Sequence, residues 1–175
     1  MSDAGAEALR CFNCGCVSVG PSDIGIALVA LDASIVTNKR TIEARDFFST
    51  SATEKTKLRY YELITEIRIP KPPEGARQTY LKFTLRAPVD FAIVSVASVI
   101  AEKKGVCEKA RIALGAVAPV PLRARAAEEL IEGKAITESL AAEAGALALQ
   151  GAEPLSKNAY KAEIAKTLVK RAILG

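Results

Sequence analysis

The feature that most constrains the fold lies between residues 91 and 118, where two long apolar stretches rich in Val, Ile and Ala flank Lys103-Lys104-Gly105. The run 91–101 is long enough to pass for a buried helix. Its β-branched content and the Gly-bearing turn behind it favour strand, because Val and Ile pack well on a pleated surface and lose side-chain freedom in a helix. The pattern therefore predicts strands over 79–86, 91–102 and 107–118, the last two closed as a hairpin. Helices follow over 123–131, 137–149 and 158–174, with Gly133 and Gly151 ending the first two. The expected module is a three-stranded antiparallel sheet packed against a three-helix bundle.

Upstream, residues 22–31 open on Pro21-Ser22-Asp23, with Ser22 or Asp23 as N-cap and Ile24, Leu28 and Leu31 as the apolar stripe of a short helix. Residues 34–37 and 40–44 read as a hairpin across Asn38-Lys39, after which Asp46 is expected to cap a turn holding Phe47 and Phe48. Residues 49–57 are rich in Ser, Thr and Lys and read as a surface loop. Over 63–69 Leu63, Thr65, Ile67 and Ile69 alternate with Ile64, Glu66 and Arg68, which predicts a strand with one buried face. Pro70, Pro72, Pro73 and Gly75 then stop it and mark a linker, dividing the chain into 1–72 and 76–175. The fold class is α+β.

Composition removes several functions. A chain of 175 residues that is 50% hydrophobic can bury a real core. Its net charge of +4 is dispersed, without the clustered basic and aromatic stripe of a nucleic-acid binder. The polar start MSDAGAEALR has no apolar signal region, and no run reaches the roughly 18 to 20 apolar residues of a membrane span, so a soluble cytoplasmic protein is expected. The chain has no histidine, which takes away the usual general base and the Ser-His and Cys-His pairs. Chemistry must come from a cofactor or another subunit. Cys11, Cys14 and Cys16 in CFNCGC supply three soft ligands, one short of the usual four, and Cys107 lies on a distant predicted strand; no metal site is assigned.

Three blocks, taken in order, carry a resemblance: VGPSDIGIALVALDASIV, ELITEIRIP and TYLKFTLRAPVDFAIVSVA. A PSD turn entering an ALxALxA helix, an ELLTEIRIP strand and YxKxxxRxxxDxAxV resemble the second half of the flavin-binding (medium) subunit of the molybdenum hydroxylases. That family includes xanthine dehydrogenase, carbon monoxide dehydrogenase and 4-hydroxybenzoyl-CoA reductase. The resemblance continues through ARIALGAVAPVPLRA, EELIEG and NAYKAEIAKTLVKRAI. The family's AGGT-like loop, whose backbone N–H groups cradle the FAD pyrophosphate, has no counterpart, since no Gly-Gly pair occurs in the chain. The chain is expected to start in the middle of its cofactor site. Residues 1–72 would form part of a FAD-binding subdomain and 76–175 the C-terminal domain of the subunit.

Residue by residue, Ser22 and Asp23 are either a helix cap or, as the resemblance implies, FAD contacts. Leu63 and Ile64 are ordinary strand residues whose family counterparts lie against the flavin, partly through backbone atoms. Lys82 alternates with Leu81 and Phe83 and so leaves their face; it is either a solvated lysine or, by resemblance, a cation beside the flavin. Arg86 and Asp90 read as a structural ion pair across a turn fixed by Pro88. In the reductase branch a Cys also precedes the Asp by seven residues, as Cys16 does here, but CFNCGC is too compressed for that branch's extra cluster.

The resemblance implies an electron-transfer subunit carrying FAD between a two-iron two-sulfur small subunit and an external acceptor. Substrate would be oxidised on a molybdopterin-binding large subunit, and a separate N-terminal FAD half-domain is a further expected partner. The alternative, from a different class, is a structural module that holds subunits together without binding FAD.

Overall fold

The computed structural model describes residues 19–51, 54–87 and 89–175. Cys11, Cys14, Cys16 and Pro88, on which a metal site and a turn were weighed, lie outside the described residues. The elements are α1 (Asp23–Ala30), β1 (Ser34–Thr37), β2 (Thr41–Glu43), α2 (Ala44–Phe47), β3 (Ile64–Arg68), β4 (Arg77–Phe83), β5 (Val94–Lys103), β6 (Val106–Gly115), β7 (Leu122–Arg123), α3 (Arg125–Ile131), α4 (Glu138–Leu147) and α5 (Tyr160–Leu174). They build two antiparallel sheets, ordered β2-β1-β3 and β4-β5-β6-β7.

The β5–β6 hairpin is the centre of the molecule. Val94, Val96 and Ile100 of β5, with Ala110, Ile112 and Leu114 of β6, pack against Ala127 and Ile131 of α3, Ala141 and Ala144 of α4, and Ala165, Val169, Ala172 and Ile173 of α5. The intervening Ala97, Val99 and Ala113 point the other way, into a second core with Ile26, Leu28, Val29 and Ala30 of α1. Both faces are covered, which explains why residues 91–101 are apolar but for Ser95 and Ser98: a strand buried on two sides has no polar alternation to show. The hairpin turns at Lys104 (φ 52°) and Gly105 (φ 78°), the two left-handed positions of a tight connection.

Two arrangements hold the layers together. Arg77 of β4 donates to the Ala172 and Ile173 carbonyls at 3.3 and 2.6 Å, satisfying the end of α5. Asp32, just past α1, sits between Arg111 (Nε 2.6 Å, an ion contact rather than an aligned hydrogen bond) and Arg123 (2.9 Å); Arg123 also reaches Glu128 at 2.7 Å. The buried Glu128 in turn accepts the Ile112 N–H at 2.6 Å.

Several expectations need correction. The C-terminal sheet has four strands, because Leu122–Arg123 adds a two-residue strand beside β6, too short and too close to Pro119 and Pro121 to show a period. Strand β3 has no buried face: all five residues are exposed, since among the described residues it is the edge of its sheet and pairs only with β1. Asp46 does not cap α2. It lies in the helix's first turn, whose N-cap position is Glu43, with no side-chain cap bond. In α1 the buried isoleucine is Ile26, whereas Ile24 is 70% exposed.

Candidate functional site

The N-terminus of α1 is set by Ser22, whose extended backbone (φ −137°, ψ 103°) and Oγ, accepting the Gly25 N–H at 3.0 Å, make it the cap. Glycine is required at 25. A Cβ there would stand 2.8 Å from both Ser22 Oγ and the Phe48 ring. The cap fixes Asp23 in the first turn, where the helix dipole favours a carboxylate.

Strand alternation brings β4 to it. In the β4–β5 register Gln78, Tyr80 and Lys82 stand opposite Val99, Ala97 and Ser95. Directly opposed residues share a face, and Ala97 and Val99 belong to the face that α1 covers. Lys82 therefore meets Asp23, Nζ to Oδ2 at 2.7 Å, although 59 residues separate them. The lysine is three-quarters buried and the aspartate half exposed, so the pair itself is worth about 1 kcal/mol or less.

Tyr80 completes the group. The Lys82 ammonium, hydrogen-bonded to the Asp23 carboxylate, holds it below the usual carboxylate range, and the neighbouring Tyr80 hydroxyl adds to the effect. Burial, then the Asp23 charge, pushes the Tyr80 phenol well up, so it stays a donor at any physiological pH. Sequence reasoning did not place Tyr80 beside Asp23. Its signal was present: residues two apart in a strand share a face, so whatever Lys82 touches is within reach of Tyr80.

Ser22, Asp23 and Lys82, but not Tyr80, border an open cleft of about 560 Å³ lined also by Pro21, Ile24, Arg86, Val89, Asp90 and Phe91. Arg86 forks onto Asp90 (Nη2 to Oδ1 2.9 Å, Nε to Oδ2 3.2 Å), and Asp90 also takes the Arg86 and Phe91 N–H groups, closing the loop that forms one rim. Ile24, Val89 and Phe91 are 70, 85 and 75% exposed, an apolar lip around a charged floor. Ser22, Asp23 and Lys82 are thus brought together.

Leu63 and Ile64 do not line this cleft; they lie at the start of β3 in the other sheet. The backbone of Leu63 is already engaged, its N–H donating to Asn38 Oδ1 (3.1 Å) and its carbonyl accepting the Asn38 N–H (3.0 Å). Beside it, Glu62 is buried, bonded by Arg40 (2.8 Å), Thr37 (2.8 Å) and the Arg59 N–H (2.8 Å). Those contacts, the Arg40 guanidinium foremost, pull its carboxyl down to about 2.

Residues 79–175 match the family described as CO dehydrogenase flavoprotein C-terminal domain. The chain belongs to this family. It is 34% identical over 161 residues to the aldehyde oxidoreductase FAD-binding subunit PaoB of Escherichia coli K12, covering 86% of this chain and 46% of PaoB. With the carbon monoxide dehydrogenase medium chain of Hydrogenophaga pseudoflava it shares 33% over 153 residues, 83% of this chain and 52% of that one. Among solved structures, quinoline 2-oxidoreductase from Pseudomonas putida 86 superposes with a TM-score of 0.78 at 28% identity, over 98% of this chain and 57% of that one. Carbon monoxide dehydrogenase from H. pseudoflava does so with 0.79 at 32%, over 87 and 55%. The chain spans about half the length of these relatives. The resemblance to molybdenum hydroxylase medium subunits, C-terminal part, and the α+β fold class therefore hold.

Proposed function

We propose that this flavoprotein chain supplies the flavin-end contacts of a FAD-binding electron-transfer subunit in a molybdenum hydroxylase, an oxidoreductase component inactive alone. The observation that carries the proposal is the meeting of Ser22, Asp23 and Lys82 in one cleft from two distant parts of the sequence. The donor set suits the group. An apolar lip of Ile24, Val89 and Phe91 fits a flat aromatic ring system, and the hydroxyl, carboxylate and ammonium at the floor fit its polar edge or ribityl hydroxyls.

FAD, when bound, supplies the exchange between two-electron and one-electron partners. The protein's part is position and electrostatics. Ser22 and Asp23 orient the cofactor, Tyr80 and Lys82 hold Asp23 ionised, and the Lys82 charge favours added negative charge in its neighbourhood. Leu63 and Ile64, exposed at the head of β3, are proposed as a second apolar contact for the ring. The partners in this scheme are a two-iron two-sulfur small subunit, a molybdopterin large subunit and a half-domain bearing the glycine-rich pyrophosphate loop, all in the cytoplasm. Among the described residues no helix is long and apolar enough to cross a membrane.

Coexpression of the chain with such a half-domain tests the proposal. The purified complex should show the visible flavin absorption, and Asp23→Ala should reduce it. A colourless complex of folded components would contradict the assignment.

A further inference from the structure

We propose that β3 is a docking edge for a second copy of this chain, pairing antiparallel with the same strand of the partner copy about a two-fold axis at Ile67. Among the described residues strand β3 is the last in its sheet, all five of its residues are exposed, and the apolar side chains of Ile67 and Ile69 stand about half exposed. An open, apolar edge of this kind is a template for another strand.

The ladder fixes which backbone groups remain available. Thr37 donates to Arg40 and Ala44 to the Ala33 carbonyl, so the odd residues of β1 serve β2. Asn38 donates to the Leu63 carbonyl, and with the odd residues turned to β2 the even residues of β1 face β3. Across β1, Ser34 stands opposite Arg68 and Val36 opposite Glu66. Glu66 and Arg68 therefore turn their backbone groups inward, and Ile67 between them presents its N–H and C=O outward.

Charge then selects the occupant. Glu66 and Arg68 lie on one face, forked together at 2.9 and 3.1 Å. In antiparallel pairing about Ile67, each Glu66 faces the other copy's Arg68 and each Arg68 its Glu66, while the two Ile67 side chains meet on the opposite face. The surface is self-complementary, as an isologous two-fold interface requires. Pro70 stops the ladder from extending. The inference does not rest on the flavin reading.

Sedimentation equilibrium of the 175-residue chain should show a reversible dimer. Glu66→Arg or Arg68→Glu alone places like charges opposite each other twice and should raise the dissociation constant at least about tenfold. Mixing the two variants should restore association as a heterodimer, because one then presents two positive and the other two negative charges at the pairing positions. Both variants should keep the parent's circular dichroism spectrum, since the sites are exposed. A parent chain that stays monomeric would overturn the proposal and leave the edge to a strand of another polypeptide. Variants that dimerise like the parent, or a mixture that stays monomeric, would overturn it too.

Discussion

Asp23 is the residue on which the site turns, since it is both inside the capped first turn of α1 and the acceptor for Lys82. If it only shapes the helix start, Asp23→Ala costs roughly 1 kcal/mol of stability and leaves FAD binding unchanged in the folded protein. The flavin reading predicts a loss of FAD affinity larger than the melting curve explains, because a hydrogen-bond partner on the ligand is left unmade. Lys82→Met separates charge from shape. It should lower the flavin reduction potential of the reconstituted complex by an amount on the order of 1 to 2 kcal/mol, since removing a nearby cation disfavours added negative charge. Potentiometric titration checks the sign; an unchanged or raised potential counts against the position.

At the scale of elements, the junction of the β1–β2 hairpin with β3 depends on Glu62. Its carboxyl titrates near 4.5 when unperturbed and is pulled to about 2 in the fold. A depressed carboxylate contributes stability that is fully present above the unfolded value and is lost as pH falls toward the folded one. Thermal melts should therefore fall between pH 4.5 and about 2, and Glu62→Gln should flatten that fall while lowering stability at neutral pH; identical acid profiles would remove Glu62 from the account. The helix α1 offers a packing test. Ile26 is fully buried against β5 and β6, so Ile26→Ala should cost about 2 to 5 kcal/mol, readable in denaturant melts.

Across the whole molecule, the elements with an internal signature were legible in the sequence and those set by tertiary context were not. The β5–β6 hairpin declared itself through Val, Ile and Lys104-Gly105, and α4 through Thr137, whose hydroxyl accepts the Leu140 N–H at 3.2 Å. Alternation in β3 was visible, but alternation shows two faces and not whether anything covers either. The same limit applied to Ile24, which has the spacing of a core residue and ends on the lip of the cleft. Ser22, Asp23 and Lys82 were found through family resemblance. Tyr80 was missed because its role needs the β4–β5 register and the helix laid across it, and Glu62 because a buried carboxylate is defined by partners 22 and 25 residues away.

Titration of the folded chain with FAD, for the parent and for Asp23→Ala side by side, tests the central claim most directly. The account predicts saturable binding by the parent with a dissociation constant above roughly 1 μM, because these 175 residues hold the flavin-end contacts without a Gly-Gly pyrophosphate loop, and at least about fivefold weaker binding by the variant. Equal affinity for parent and variant, or no saturable binding by the parent, would contradict it.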